Sequence, residues 1–288
     1  MSAASHHQRI AQAFAAARAQ GRAAIIPFLT AGDPTPVLTL PLCEALTRAG
    51  ADIIELGVPF SDPLADGPTI QRASERALSQ GVGLAETIQM AARIRERIAA
   101  AIVLFTYYNP ILRMGEERFV EAAGKAGVDG VLVTDLPLEE GADLRSKLMS
   151  RGIDPILLIA PTTDPARVTE SGREGRGFLY YISRTGVTGA RRDLPEGLAA
   201  DVAAMRRAVP LPVAVGFGVS SAEQVRAVAS FADGVVVGSA LVDVIERACA
   251  RAGWSARTPL VPGDLPEVLE QAARDLFAVE GARERRGP

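Results

Sequence analysis

Eight short runs rich in Ile, Val and Leu alternate along this chain with segments of helical periodicity. Strands that alternate with helices pair in parallel and are joined by right-handed crossovers. Eight such units with nearly continuous apolar strands predict an α/β fold, a single (β/α)₈ TIM barrel. The predicted strands cover residues 24–30, 52–58, 101–107, 130–135, 154–160, 177–183, 212–217 and 233–238.

An open doubly wound sheet is the alternative that this alternation allows. Such sheets usually carry a Gly-rich turn after the first strand. Here the first run continues into FLTAGDPTP (28–36), which lacks a GxGxxG pattern, so the barrel is favoured. The length of 288 residues, 48% of them hydrophobic, is typical of one α/β barrel domain. We expect frayed ends at 1–8 and 280–288.

The N-terminal segment 1–21 is rich in Ala and Arg and has no acidic residue, which faintly resembles an organelle transit peptide. However, Ile10, Phe14 and Ala17 recur at helical spacing, and Gly21 stands where a helix C-cap is expected. We therefore favour an extra N-terminal helix.

Composition narrows the cellular setting. No apolar run approaches the roughly 18 residues of a membrane span. A net charge of −3 gives no basic patch of the kind that binds nucleic acid. The two cysteines, Cys43 and Cys249, fall in separate helical segments and are expected to be free. These features predict a cytoplasmic protein that binds neither membrane nor nucleic acid.

The connections after the second and sixth predicted strands are longer than the others. The extra residues fall in PFSDPLADGPTIQRASERALSQGVG (59–83) and RTGVTGARRDLPEG (184–197). Long connections in compact domains are usually functional, and strand-to-helix loops form the catalytic face of a barrel. We therefore expect extended loops after strands 2 and 6 at the active site.

Glu55 interrupts the second apolar run, DIIELGV. Side chains alternate along a strand, so Ile53, Glu55 and Gly57 share one face. On either face of a barrel strand the carboxylate is buried, and it must be paired or have a raised pKa. A salt bridge to an arginine of another strand is the structural explanation. The position near the C-terminal end of the strand favours a catalytic proton shuttle.

Asp62 and Asp66 follow in the Pro-rich loop, and the residues leave their roles open. Either acid is explained by a solvated turn. The alternative is a lid that places one carboxylate over a ligand.

Three Gly-containing turns predict a phosphate site. VGFGVSS (215–221) and VGSAL (237–241) end the last two predicted strands, and GVTGA (186–190) lies in the sixth loop. Glycines before a helix N-terminus let the backbone approach an anion. Barrels often bind phosphate in the loops after strands 7 and 8.

The residue types that are missing also constrain the chemistry. The only histidines are His6 and His7, so no barrel strand supplies an imidazole for a metal site or an isomerase. The only lysines, Lys125 and Lys147, lie in helical segments, so none is placed to form an interior Schiff base. Carboxylates, tyrosines and backbone dipoles remain. They predict metal-free proton transfer on a phosphorylated substrate.

Several of these segments together resemble the tryptophan synthase alpha chain family. They are PFLTAGDP (27–34), LGVPFSDPLADGPTIQ (56–71), GVDGVLVTDLPLEE (127–140), YYISRTGVTG (180–189), GFGVSS (216–221) and GSALV (238–242). The resemblance covers almost the whole chain. It implies a lyase of the last steps of tryptophan biosynthesis, which cleaves indole-3-glycerol phosphate to indole and glyceraldehyde 3-phosphate.

The resemblance also implies roles for single residues. Glu55 would protonate C3 of the indole ring and then accept the proton of the glycerol hydroxyl. Asp66 would accept a hydrogen bond from the indole N–H and stabilise the charge on the ring, and Tyr180 would lie near the glutamate. Phosphate would bind at Gly189, Gly218, Gly238 and Ser239, and the indole would contact Phe28, Ile70 and Leu132.

A partner follows from the same resemblance. The family's usual partner is a pyridoxal-phosphate-bearing beta chain, joined in an α₂β₂ heterotetramer, so no cofactor is expected in this chain. The positions that match contact regions are Asp62, Pro63, Asn109, Pro110 and Pro137. Three alternatives stay open: an autonomous lyase that releases free indole, a binding-only subunit, and another phosphate-binding barrel enzyme. Retention of Glu55 and Asp66 disfavours the second, and the lack of a barrel histidine disfavours the third.

Overall fold

The computed structural model describes residues 8–182, 194–216 and 218–278. Eight parallel strands close into a barrel in sequence order, with β8 paired to β1. The strands are β1 Ala24–Thr30, β2 Ile53–Gly57, β3 Ala101–Thr106, β4 Gly130–Val133, β5 Asp154–Ile159, β6 Leu179–Ile182, β7 Val213–Gly216 and β8 Gly234–Val237. The closed barrel is confirmed, and the open sheet is excluded.

Helices follow the strands around the barrel. Those of the described residues are α1 Arg9–Ala19, α2 Thr39–Arg48, α3 Pro68–Ser79, α4 Leu84–Arg95, α5 Tyr108–Met114, α6 Glu116–Lys125, α7 Ala142–Ser150, α8 Pro165–Glu174, α9 Leu198–Ala208, α10 Ala222–Ala229, α11 Ser239–Ala252 and α12 Leu265–Phe277. Across these ranges, no helix has the length and apolar character needed to cross a membrane.

The long connection after β2 is only partly a loop. Residues 58–67 form an irregular segment, and α3 then adds a helix before α4. Pro68 at the first helical position has a fixed φ that suits a helix start, which explains why the helix begins there. The predicted extended loop is therefore a shorter loop joined to an extra helix. Most of the long connection after β6 (183–193) lies outside the described residues.

The predicted N-terminal helix is confirmed as α1, and it covers the N-terminal end of the barrel. Ile10, Phe14 and Ala17 are buried against the interior side chains of the strands. Two strand-initial glycines make room for it: a Cβ on Gly130 would lie 2.9 Å from Ile10, and one on Gly234 would lie 3.0 Å from Phe14. The N-terminal end of the barrel interior is thus closed by α1, and the interior opens at the C-terminal ends of the strands.

Side chains of β2 alternate between two apolar layers. Ile54 and Leu56 face the layer between strands and helices. Ile53 faces the barrel interior, so the alternation places Glu55 there too. Glu55 pairs in register with Phe28 of β1 and Val103 of β3. The sequence predicted that Glu55 shares a face with Ile53 and left open which face of the barrel strand this is; the structure shows the interior face.

Candidate active site

Glu55 is a buried carboxyl group without a partner in the described part of the chain. Its exposed fraction is 0%. Neither Oε1 nor Oε2 has a hydrogen-bond partner there. Burial alone raises the pKa of Glu55 to about 8, because the apolar interior disfavours the charged form. The carboxyl is therefore protonated at neutral pH, and the structural explanation of a salt bridge finds no support.

Asp66 ends the loop that follows β2. The loop is held by a turn in which the Asp66 N–H donates to the Pro63 carbonyl at 3.0 Å, and Gln71 Nε2 donates to the Asp66 carbonyl at 2.9 Å. The Asp66 carboxylate accepts a hydrogen bond from Tyr107 Oη at 3.0 Å. Burial raises the pKa of Asp66 to about 6, against the opposing effect of the Tyr107 hydrogen bond. Asp66 is thus mostly ionised at neutral pH.

Tyr107 connects this loop to the end of β3. Its hydroxyl donates to Asp66 and accepts a hydrogen bond from the Ala65 N–H at 3.0 Å. Its ring lies 5.0 Å from the ring of Phe60, measured between centroids. Two loop residues and the carboxylate are therefore attached to one buried tyrosine. This arrangement orients Asp66 at the mouth of the barrel.

Tyr180 of β6 interacts electrostatically with both carboxyl groups. It is buried, and burial together with the charges of Glu55 and Asp66 raises its pKa well above the usual range. The phenol therefore stays neutral. Gly216 of β7 leaves room for it, because a Cβ there would collide with the Tyr180 hydroxyl.

The residues predicted to contact an apolar ligand converge at the same end of the barrel. Phe28 packs with Ile70 of α3 and with Phe105 of β3, whose ring lies 5.5 Å away, edge-on. Phe105 is also 6.5 Å from the ring of Tyr180 and pairs in register with the buried Leu132. These side chains form an aromatic and aliphatic wall next to Glu55.

The predicted phosphate residues lie at two turns. Gly238 is the N-cap of α11, and Ser239 is its first residue; both are partly exposed. Gly238 also adjoins the apolar wall, since a Cβ there would lie 3.4 Å from Phe28 Cβ. Gly218 has a φ of +77° and is exposed, an open turn that suits glycine. Gly189 lies outside the described residues.

The remaining donor groups lie elsewhere. In residues 8–182, 194–216 and 218–278, no three His, Cys, Asp or Glu side chains are arranged to hold a metal ion. Lys125 and Lys147 project from the outer helices α6 and α7, where Lys125 pairs with one glutamate and Lys147 with two. Cys43 and Cys249 are free thiols, as predicted, and both are buried.

Comparison with known proteins agrees with this geometry. The family model for the tryptophan synthase alpha chain matches residues 14–259. The chain belongs to the tryptophan synthase alpha chain family.

Individual relatives of this family align over most of the chain. The tryptophan synthase alpha chain of Geobacter sulfurreducens is 52% identical over 239 residues, which are 83% of this chain and 90% of that protein. The protein of the same name from Paraburkholderia phytofirmans is 48% identical over 92% of this chain and 98% of its own length. A Mycobacterium tuberculosis tryptophan synthase structure superimposes with a TM-score of 0.83 at 34% identity, covering 94% of this chain and 97% of that chain.

Two residues of the site were not among those predicted for this member of the alpha chain family. Tyr107 and Phe105 lie at the C-terminal end of β3, the neighbour of β2 in the barrel. Their position at the C-terminal end of the strand next to that of Glu55 could have identified both residues from the sequence. The hydrogen bond between Tyr107 and Asp66 was not predictable, because it joins residues 41 positions apart.

Removing the Tyr107 hydroxyl is expected to make Asp66 harder to ionise. The hydrogen bond from Tyr107 lowers the pKa of Asp66, so Tyr107→Phe should raise that pKa. If activity needs ionised Asp66, the acid limb of the pH–rate profile should then shift to a higher pH than in the wild type. The rate at neutral pH should fall about 3- to 10-fold. A pH–rate profile of both proteins measures this. An unchanged acid limb would show that Tyr107 does not control Asp66.

Proposed function

We propose that this chain cleaves indole-3-glycerol phosphate into indole and glyceraldehyde 3-phosphate by proton transfer between carboxyl groups and the substrate. The observation that carries the proposal is the pair of unlike acids. Glu55 is protonated at neutral pH, whereas Asp66 is ionised, and both adjoin an apolar aromatic wall. Two carboxyl groups with separated pKa values are typical of an acid and a charge stabiliser. Membership of the family supports the choice of substrate.

In the first step, Glu55 donates its proton to C3 of the indole ring. The ring loses aromaticity, and positive charge develops at the ring nitrogen. Asp66 accepts a hydrogen bond from the N–H and stabilises that charge in a partly buried site, where the interaction is stronger than in water. The wall of Phe28, Phe105 and Leu132 supplies the apolar contact for the ring.

In the second step, the bond between C3 and the glycerol side chain breaks. Its electron pair returns to the ring and restores aromaticity. Glu55, now a carboxylate, accepts the proton of the adjacent hydroxyl as the aldehyde forms. Tyr180 stays neutral, so it adds no charge of its own near this carboxylate. Glu55 ends the reaction protonated, as it began.

The substrate phosphate binds at the opposite end of the ligand in this proposal. Gly238 and Ser239 open α11, a helix of 14 residues whose N-terminus carries partial positive charge. Gly218 and Gly189 would add backbone donors. The contact of Gly238 with Phe28 supports a phosphate turn directly beside the apolar wall.

Activity is expected to follow a bell-shaped pH profile. Asp66 must be ionised, so kcat/KM should fall below its pKa of about 6. Glu55 must be protonated, so kcat/KM should also fall above its pKa of about 8. Indole release measured between pH 5 and 10 in constant ionic strength tests this. A rate that keeps rising through pH 9 would contradict Glu55 as the acid.

A beta chain partner that carries pyridoxal phosphate belongs to the same proposal, in an α₂β₂ heterotetramer in the cytoplasm. Leu64, 88% exposed, and Leu112, 59% exposed, stand on the connections after β2 and β3. Asp62, Asn109 and Pro137 are exposed on the same face. Apolar side chains exposed among polar ones are typical of an interaction surface. This surface borders the mouth of the barrel after β2, β3 and β4 and supports docking there.

The decisive experiment measures indole release from indole-3-glycerol phosphate by the purified full-length chain, first alone and then with a tryptophan synthase beta chain. Slow release that rises steeply with the partner is the expected result. Fast release without the partner would point instead to an autonomous lyase. No release in either case would contradict the proposed function and leave a binding-only subunit.

A further inference from the structure

A partly buried ion-pair cluster joins three elements near the site: the loop after β1, α3 and α11. Arg76 of α3 donates from Nε to Asp33 Oδ1 at 2.6 Å and from Nη2 to Asp33 Oδ2 at 2.9 Å. Asp33 lies in the loop after β1. Glu246 of α11 lies 3.4 Å from Arg76 Nη1 and also accepts from Arg72 at 2.5 Å. The Asp33 and Arg76 side chains are almost fully buried.

The cluster continues a helix contact that begins at the mouth. Ala73 of α3 and Val242 of α11 are buried together against Phe28. One turn further along each helix stand Arg76 and Glu246. The two helices therefore contact each other first through apolar side chains and then through the ion pairs of Glu246 with Arg72 and Arg76.

Each helix carries one half of the proposed site at its N-terminus. α3 begins just after Asp66, and α11 begins at Ser239 beside Gly238. Helices are stiff over this length, so a shift where Arg76 binds moves the N-terminal ends relative to each other. Arg76 binds Asp33 in the loop after β1 through two parallel bonds, which restrict movement of α3 against that loop more than a single bond does, and its Nη1 lies 3.4 Å from Glu246 of α11.

We propose that Arg76 is a positioning residue, which fixes the distance between Asp66 and the phosphate turn at Gly238–Ser239 by holding α3 against the Asp33 loop and beside Glu246 of α11. This inference rests on the proposed function. Because Arg76 sets the spacing between the two subsites, its substitution should impair binding of one class of ligand. A ligand that spans both subsites depends on Arg76, whereas ligands that fill only one subsite do not.

The test compares three ligands on the full-length wild type and on Arg76→Lys, which keeps the charge and loses the two-bond geometry. The ligands are indole, inorganic phosphate, and a non-cleavable indole joined to a phosphate by a three-carbon chain. Affinity for each fragment is expected to stay within about 2-fold, and affinity for the linked ligand to fall at least about 10-fold. The kcat/KM for indole-3-glycerol phosphate should fall about 10- to 100-fold.

Arg145→Lys is the matched control. Arg145 is 7% exposed and Arg76 is 9% exposed, so both substitutions disturb an equally buried guanidinium. Arg145 of α7 donates to the Leu138 carbonyl at 2.7 Å and to Glu174 at 3.3 Å, in contacts that involve neither α3 nor α11. This variant is expected to lose thermal stability while its linked-ligand affinity and kcat/KM stay within about 2-fold of the wild type.

The outcomes separate a positioning role from a merely structural one. If Arg76→Lys lowers the melting temperature but binds the linked ligand like the wild type, the proposal is overturned. If Arg76→Lys does not fold by circular dichroism, Asp33→Asn, which removes one of the two bonds to Arg76, decides, with a loss of linked-ligand affinity of about 3-fold or more expected and no loss overturning the proposal. Wild-type chain that binds these ligands but cleaves nothing would overturn the proposed function alone.

Discussion

Glu55→Gln is expected to lower indole release about 10²- to 10⁴-fold, because the amide keeps the size of the side chain but cannot carry the proton. Binding of a non-cleavable indole alkyl phosphate should change far less, since the phosphate and the ring are held by other residues. Single-turnover kinetics and a binding titration on the same protein measure the two effects separately. Near-normal turnover by Glu55→Gln would show that the proposed mechanism is wrong.

The same substitution is expected to stabilise the fold at alkaline pH. The pKa of Glu55 rises from 4.5 in the unfolded chain to about 8 in the folded protein. Between these values the unfolded state loses its proton while the folded state keeps it, so the wild type loses stability as pH rises. Glu55→Gln removes this loss. Urea unfolding should show a gain of roughly 2–4 kcal/mol at pH 8.5 relative to the difference at pH 4.5.

Asp66→Asn is expected to lower kcat about 10²- to 10³-fold, which is the usual cost of removing one group that stabilises charge in the transition state. The substitution should also remove the acid limb of the pH profile near 6, because no group that titrates there remains at this position. Tyr107 can still donate its hydrogen bond to the amide oxygen, so the loop should keep its position.

Asp62→Asn in the same loop is the control. Asp62 is exposed and accepts a hydrogen bond from Ser61 Oγ, a contact of the loop surface. Without the partner chain its kcat is expected to stay within about 2-fold of the wild type. Equal losses from both substitutions would mean that the loop as a whole, and not the Asp66 carboxylate, is needed.

Much of the site was predictable because it depends on strand position. Alternation along the strand predicted that Glu55 shares a face with Ile53 and is buried, and spacing placed Ile10, Phe14 and Ala17 on one face of α1. Both predictions concern regular secondary structure, in which the position of a residue along the chain determines the direction of its side chain.

The parts that were missed depend on contacts between distant segments. Tyr107 acts on Asp66 from the end of another strand, and Arg76 meets Asp33 across 43 positions of sequence. The extra helix α3 was hidden within a segment whose prolines and glycines are typical of a loop. Its packing against α11 through Ala73 and Val242 stabilises a helix where the local sequence is ambiguous.

The helix that covers the N-terminal end of the barrel limits how Glu55 exchanges its proton with the solvent. Ile10 and Phe14 close the N-terminal end of the interior, so in the proposed mechanism the bound substrate lies between Glu55 and the bulk water at the mouth. In the proposed mechanism, the proton given to the ring is replaced by the one taken from the hydroxyl. The cycle then involves no net gain or loss of protons, and each turnover leaves Glu55 protonated for the next one without proton exchange with the solvent.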